Sequence, residues 1–371
     1  MKRCISISTA NSPASPPSPA EPTRPARLRV DQNAIAENWR FFKKQAPGAA
    51  AAAVVKADGY GLGAELAART LAQAGARVFF TATFGEALAV RRALGEGPQI
   101  LVLNGPGADV EHFLPARVIP VLNSLAQIKL WAGRGPAALN IDTGMNRLGV
   151  GPEELGPASA ALKDASLVLV MTHLACGSDF KHAMNETQRL RFVDAATLFP
   201  KAPLSLSATA GALMGPQFHF DLIRPGIGLY GAAGLDADNP ALHAVATIEA
   251  PILQVRDAEP GESFGYGAAF TATKKMRAAT IALGYADGFL RALGGRGYGF
   301  LGGAKRPILG RVSMDLTIID VTGCAEAAPG AMVEFLGPNV PLDDVAALAG
   351  TAPYEILTTF AGAVGRKGAR A

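Results

Sequence analysis

The sequence predicts an α/β protein in two parts, an N-terminal (β/α)8 barrel of the TIM type over residues 27–240 and a C-terminal, mostly β domain over residues 241–371. Three observations carry this prediction. Eight short apolar runs recur between residues 49 and 223, most intervals between them have helical amphipathic spacing, and after about Ala241 the pattern changes to β-like runs separated by turns. The eight runs are continuous in hydrophobicity rather than alternating, as befits strands buried on both faces of a parallel sheet. An open doubly wound sheet is the competing arrangement, and no G-x-G-x-x-G opens a βαβ unit to support it.

At 371 residues the chain is long enough for about two domains, and 49% hydrophobic with 18% charged residues is the composition of a globular enzyme, not of a disordered chain. No apolar stretch approaches the roughly 20 residues of a membrane span. The net charge of +4 is concentrated at the start, where Lys2, Arg3, Arg24, Arg27 and Arg29 oppose Glu21 alone. The remainder balances, so charge gives no case for a nucleic-acid partner. Cys4, Cys176 and Cys324 are too few and too scattered for a disulfide framework or a zinc motif. That usage suits a reducing, cytoplasmic location, and no metal is expected.

Taken in order, residues 1–26 read as a disordered leader: serine, proline and alanine crowd positions 6–25, and no apolar h-region follows Lys2 and Arg3. A helix is predicted over residues 31–46, with Asp31 as its cap and Ile35, Trp39 and Phe42 on one face. The eight strands are predicted at 49–56, 78–81, 100–103, 118–122, 138–141, 167–172, 204–207 and 220–223. Helices are predicted at 84–94, 124–131 and 185–198 among the intervals. In the second part, β-like runs fall at 244–255, 277–283, 294–303, 307–322 and 331–336, spaced as in a compact barrel or sandwich.

A parallel barrel carries its active site at the carboxyl ends of its strands, so the polar residues just after each run are the candidates. They are Lys56 and Tyr60 after the first strand, Asp142 and Arg147 after the fifth, His173 after the sixth, Thr209 after the seventh, and Arg224 with Gly226 after the eighth. Lys56 is either an ordinary solvated strand end or an amine desolvated enough to attack an aldehyde. Barrels often bind phosphate with the loops after their last two strands, where Thr209 and the N–H groups of Gly226 and Ile227 stand. An amine at one end of a cavity and a phosphate cradle at the other fit pyridoxal phosphate. Each residue also has a plainer reading. His173 suits a hydrogen-bonded core histidine, Arg147 a surface partner of Asp142, Arg224 another ion pair, and the glycine turns tight barrel loops. Asp142 itself reads as structural. Placement of the whole set on one predicted face favours a site.

Several stretches, in order and with the expected spacing from about residue 27 to the C-terminus, match a known family. They are VVKADGYGLG from Val54, NIDTGMNRLGV from Asn140, MTHLAC from Met171, FDLIRPGIGLYG from Phe220, FGYGAAF from Phe264, IALGYADGF from Ile281, GRVSMDLTIIDVT from Gly310, and the late pair Tyr354-Glu355. The chain resembles the bacterial alanine racemases, pyridoxal 5'-phosphate enzymes of fold type III that interconvert L- and D-alanine. The resemblance implies that Lys56 carries the cofactor as an internal aldimine and is one of two catalytic bases, and that Tyr266 of the partner subunit is the other. It implies a homodimer with shared sites. Tyr60, Thr209, Gly226, Ile227 and Tyr354 would hold the phosphate, and Arg224 would face the pyridine nitrogen. His173 would support the ring and Arg224, while Arg147 would bond the phenolic oxygen of the cofactor. Tyr285 and Met314, again from the partner subunit, would border the substrate carboxylate with Arg147.

The chemistry explains the two bases. An α-proton is too weakly acidic to leave at neutral pH unless the resulting charge spreads into a conjugated ring, and racemisation needs removal on one face and return on the other. A guanidinium only donates, so Arg224 would keep the pyridine nitrogen unprotonated and limit side reactions. Two departures from the family pattern stand out. Asn140 replaces a lysine that many members carbamylate, which predicts a bound anion such as chloride, or a water, in its place. Thr209 replaces serine and keeps the hydroxyl. The rival readings are a broader-specificity amino-acid racemase, a decarboxylase of similar architecture, and a non-catalytic cofactor carrier, which would lack the second domain. Either a biosynthetic, cell-wall role or alanine catabolism is compatible with the residues.

Overall fold

The structure is a computed structural model that describes residues 26–236, 240 and 242–367. The expected leader, Ala26 apart, lies outside the described residues, as does Cys4.

The first strand, β1 (Arg27–Val30), does not join the barrel. It runs antiparallel to Ala246–Glu249 of the second part. A helix over Gln32–Gln45 follows as predicted: the Asp31 carboxylate accepts from the Ala34 N–H at 3.0 Å, and Ile35, Trp39 and Phe42 are buried along one face. The alanine-rich run after it is split into β2 (Ala50–Ala51) and β3 (Ala53–Val54). Then come β4 (Val78–Thr81), β5 (Gln99–Val102), β6 (Ile119–Leu122), β7 (Ala137–Asn140), β8 (Leu167–Met171), β9 (Leu204–Ser205) and β10 (Leu222–Ile223).

Strands β3 to β9 form one parallel sheet in sequence order, and β10 pairs in parallel with β2. The Asp221 N–H donates to the Leu204 carbonyl at 3.0 Å and the Arg224 N–H to the Ser207 carbonyl at 2.8 Å, which joins β10 to β9. The ring is therefore closed, with the run 50–54 serving both of its neighbours. Closure removes every exposed edge and directs all eight strand ends to one rim. Small side chains at Ala51, Ala52 and Ala53 and larger ones at Phe79, Phe80, Leu101 and Val121 are all buried, alternating along each strand between the barrel interior and the helix layer.

The second part is built on one long strand, β11 (Ala246–Ala258). After it come β12 (Ser263–Phe264), β13 (Phe270–Thr271), β14 (Met276–Ile281), β15 (Tyr298–Leu301), β16 (Ala304–Pro307), β17 (Thr317–Asp320) and β18 (Met332–Leu336). The antiparallel order is β16-β15-β18-β11-β14-β17, with β1 added on β11. The run predicted as continuous over 307–322 is broken, because residues between β16 and β17 form a loop tied to the turn after β14. Helices over Leu342–Ala349, Pro353–Ile356 and Gly362–Lys367, the last two joined by a π-helical turn over Leu357–Ala361, follow β18 and were not among the predicted elements. One buried cluster runs through both parts, and a smaller one of Phe264, Met276, Leu309 and small neighbours anchors the β12–β13 hairpin. Among the described residues no helix is long and apolar enough to cross a membrane.

Candidate active site

Lys56 ends the first barrel strand and opens a turn of unusual hand. Ala57, Asp58, Gly59 and Tyr60 all have positive φ, at 52°, 52°, 62° and 57°. For residues other than glycine this conformation costs on the order of 1 kcal/mol each, so the turn has to be held from outside. Three bonds do this. The Ala57 N–H donates to Glu86 Oε1 at 2.8 Å, the Ala64 N–H donates to Asp58 Oδ1 at 2.8 Å, and the Gly63 N–H donates to the Asp58 carbonyl at 2.8 Å. The result sets Lys56 at a cavity of about 470 Å³ and turns the Tyr60 ring inward, 4.7 Å from the Tyr230 ring and 6.1 Å from that of Tyr354.

At the opposite rim Thr209 begins a short helix after β9, and its hydroxyl accepts from the N–H groups of Gly226 at 3.0 Å and Gly228 at 3.1 Å. Gly226 has to be glycine, because a β-carbon there would collide with the Tyr60 hydroxyl; at Gly228 it would collide with the Phe42 ring. The run from Gly226 to Gly231 does carry the G-x-G-x-x-G spacing. It follows the last barrel strand and leads into a 3-10 turn over Ile227–Tyr230, so it opens no βαβ unit.

Between these ends lies Arg224, only 3% exposed. Its Nη1 donates to Ser205 Oγ, and its Nη2 donates to the Thr172 carbonyl at 2.7 Å and the Leu206 carbonyl at 3.4 Å. All these partners are neutral, and burial lowers its pKa; a guanidinium nevertheless keeps its charge. The predicted alternative, an ordinary ion pair, is not what holds it. Nor does Arg147 pair with Asp142, whose Oδ1 instead accepts from the N–H groups of Gly144 and Met145, both at 2.8 Å.

The electrostatics favour neutral bases. Burial, then the nearby Arg224, Arg147 and Lys56, hold the His173 imidazole down at about 3. Burial and the Arg147 charge lower the Lys56 ammonium, while Glu86 opposes them. Burial raises the Tyr60 phenol well above its usual value. The Asn140 amide donates to Asn123 Oδ1 at 2.9 Å and to the Leu148 carbonyl at 3.0 Å.

The single cavity is thus lined by Lys56, Tyr60, Arg147, His173, Thr209, Arg224, Gly226, Ile227 and Tyr354 together. The other three candidates are elsewhere: Tyr266, Tyr285 and Met314 are 72%, 43% and 54% exposed and do not line it. They share one surface. The Tyr285 and Ala286 N–H groups donate to the carbonyls of Ser313 and Met314 at 3.0 and 2.9 Å, and the hairpin bearing Tyr266 rests on Arg311. Sequence reasoning missed Glu86, Ser205 and Gln188, the last fully buried with its amide bonded to the His173 carbonyl, Thr143 Oγ1 and the Ala175 N–H. Only Glu86 left a signal, the capping box Thr83-x-x-Glu86.

Comparison with known proteins decides the family. The family described as "Alanine racemase, N-terminal domain" matches residues 30–234, and "Alanine racemase, C-terminal domain" matches residues 245–367. The chain belongs to the alanine racemase family. The alanine racemase of Rhodospirillum rubrum is 45% identical over 347 residues, covering 90% of this chain and 93% of that one. Agrobacterium fabrum has a catabolic alanine racemase at 42% identity, covering 89% of each chain, and a biosynthetic one at 44%, covering 90% of each. A solved alanine racemase from Bartonella henselae, with covalently bound pyridoxal phosphate, superposes with a TM-score of 0.85 at 36% identity over 91% of this chain and 97% of that one.

Alanine racemases are amino-acid racemases dependent on pyridoxal phosphate. The cavity here fits that cofactor on its own chemistry. It offers an amine held below its usual pKa, a turn where glycine alone leaves room beside Thr209 and Tyr60, and a buried guanidinium with no carboxylate partner among the described residues. No cluster of His, Cys, Asp or Glu able to hold a metal occurs among the described residues.

Proposed function

We propose that this chain interconverts L- and D-alanine by a two-base mechanism in a homodimer, with Lys56 of one protomer and Tyr266 of the partner subunit on opposite faces of the substrate. The observation that carries this reading is the division of the residues. Lys56 lines a cavity complete in phosphate-side and ring-side groups, while Tyr266, Tyr285 and Met314 stand together on an exposed face of the same chain. A phenol 72% exposed has no role in its own cavity, and a second copy gives it one.

When bound, pyridoxal phosphate supplies a conjugated ring that stabilises negative charge at the α-carbon. The chain's residues do the rest. Lys56 Nζ attaches the cofactor and moves a proton on one face, and Tyr266 Oη of the partner subunit moves one on the other. The hydroxyls of Tyr60, Thr209 and Tyr354 with the N–H groups of Gly226 and Ile227 hold the phosphate. Arg224, braced by Ser205, Thr172 and Leu206, would face the pyridine nitrogen and, as a donor only, favour its unprotonated form. His173, neutral, supports the ring, and Arg147 bonds the cofactor's phenolic oxygen and the substrate carboxylate, which Tyr285 and Met314 of the partner subunit border. Beside Asn140 an anion such as chloride, or a water, takes the space of the family's modified lysine. Residues 27–240 in this reading carry the cofactor, and residues 241–371 supply the face that completes a neighbouring site. The enzyme acts in the cytoplasm on a free amino acid, without nucleic acid or membrane, and serves D-alanine supply for peptidoglycan or alanine catabolism.

The test is deuterium exchange at the α-position of L- and D-alanine, followed by NMR in deuterium oxide. Wild-type protein exchanges and inverts both enantiomers, and Tyr266→Phe loses inversion by about 10²- to 10⁴-fold, the usual worth of a positioned acid or base. Inversion at the parental rate in that variant refutes the two-base assignment.

A further inference from the structure

The inference starts from the second oxygen of Glu86. A capping box uses one carboxylate oxygen, and here Glu86 Oε2 serves it, accepting from the N–H groups of Ala82 at 2.8 Å and Thr83 at 3.4 Å while Thr83 Oγ1 accepts from the Glu86 N–H at 3.3 Å. Oε1 reaches back 29 residues to the Ala57 N–H. That N–H belongs to the peptide joining Lys56 to the first left-handed residue of the turn, and strand pairing brings it there, since the Val55 N–H donates to the Phe80 carbonyl at 2.9 Å. Ala57, unlike glycine, resists a φ of 52°. A charged acceptor on its N–H, stronger than a neutral one, is what the structure offers against that strain.

We propose that Glu86 is a positioning residue for Lys56: its carboxylate clamps the Lys56–Ala57 peptide in the left-handed turn and supplies a negative charge near the amine. This rests on Lys56 being the cofactor-bearing amine. The groups that interact with that amine are Arg147 from the loop after β7, His173 from the loop after β8, and Glu86 from the helix Phe84–Leu94, while Tyr60, Asp142, Arg224 and Tyr354 line the same cavity. Arg147 is cationic and His173 neutral, so Glu86 is the one negative charge among these three. It opposes the lowering that burial and Arg147 impose on the amine, and it fixes the direction from which the amine meets an aldehyde.

Glu86→Gln separates the two oxygens. The amide is isosteric but has one acceptor, and its NH2 faces an N–H donor on whichever side it is turned. The test strips pyridoxal phosphate from the full-length protein and follows its re-uptake by absorbance across pH. Borohydride reduction and peptide mapping of the wild-type protein come first: label on any residue other than Lys56 overturns the site reading itself. With Lys56 labelled, Glu86→Gln is expected to move the pH midpoint of re-uptake downward, because an ammonium loses its counter-charge, and to lower the plateau rate about tenfold. Thr83→Ala, which weakens the cap and leaves the Ala57 bond alone, lowers thermal stability without moving the midpoint. A midpoint in Glu86→Gln that stays in place or rises overturns the proposal, since a loosened turn would only return the amine toward water and its ordinary value. Glu86→Asp keeps the charge and loses the reach; it is expected to depress the plateau with little change in midpoint, and an unchanged plateau refutes the clamp.

Discussion

Two dead variants mixed together should regain activity if each site draws on two chains. Lys56→Ala removes the amine from the cavity, and Tyr266→Phe removes the phenol from the exposed hairpin of the same chain. In a heterodimer of the two, one site pairs the intact Lys56 of the Tyr266→Phe chain with the intact Tyr266 of the other, and the second site lacks both. Random pairing at equal amounts makes half of the dimers mixed, and each mixed dimer has one good site in two. The mixture should therefore show about a quarter of wild-type activity per chain, while either variant alone falls by about 10²-fold or more. Co-expression with distinct tags yields the mixed species directly, which should reach about half. The assay is production of D-alanine from L-alanine, read by a D-amino-acid oxidase couple. A mixture no more active than the average of its parts refutes the shared site, as does a wild-type protein that is active as a monomer.

Other consequences follow from single residues. Gln188→Leu leaves the His173 carbonyl and the Ala175 N–H, both partly accessible to water, and breaks a buried bond to Thr143 Oγ1. At about 1 kcal/mol each this sums to about 3 kcal/mol, read as a lower urea midpoint at unchanged slope; a loss under about 1 kcal/mol contradicts it. His173, at about 3 when folded against 6.5 as an isolated side chain, binds its proton more readily in the unfolded chain. Its contribution is thus fully present above pH 6.5 and lost as pH falls toward 3, with a slope of up to about 1.4 kcal/mol per pH unit that His173→Gln should flatten. Thr209→Val removes, in a nearly isosteric side chain, the hydroxyl that orders the Gly226 and Gly228 N–H groups and is itself offered to the phosphate, and should weaken pyridoxal phosphate retention about tenfold, whereas Thr209→Ser should match wild type in equilibrium dialysis.

What the sequence disclosed was local. Continuous apolar runs located the barrel strands, and the glycines at 59, 61 and 63 announced a turn after Lys56. Nothing local shows that Ala57 and Asp58 also take positive φ, because that conformation is imposed by Glu86 from a different βα unit. The pairing of β1 with β11 was illegible for the same reason: Arg27–Val30 is a short strand whose partner is more than 200 residues away in sequence. Arg224 and Asp142 looked like ion-pair members in one dimension. In three they are held by neutral carbonyls and by backbone N–H groups, a distinction that composition cannot carry.

The placement of strain and of missing parts supports one reading of the whole chain. A left-handed turn with two residues other than glycine at its start is unfavourable by itself, and it persists because Glu86 of one helix and the Ala64 N–H at the start of another, which donates to Asp58, over-determine it. Such rigidity serves an amine that must meet one atom from one direction, and not a lysine left in water. The opposite face has no such provision in view: among the cavity's other titratable groups, His173 is neutral, burial has raised the phenols of Tyr60 and Tyr354, and the Asp142 carboxylate is engaged by the Gly144 and Met145 N–H groups. In the proposed reading, proton return on that face comes from a second copy of the chain, and the exposed surface joining Tyr266, Arg311, Met314 and Tyr285 presents a phenol able to provide it. In that reading, a buried amine without the second base still exchanges an α-proton on its own face and inverts the centre far more slowly. Dilution that separates the protomers should therefore abolish inversion before it abolishes exchange, and equal loss of the two would place the second base inside the cavity after all.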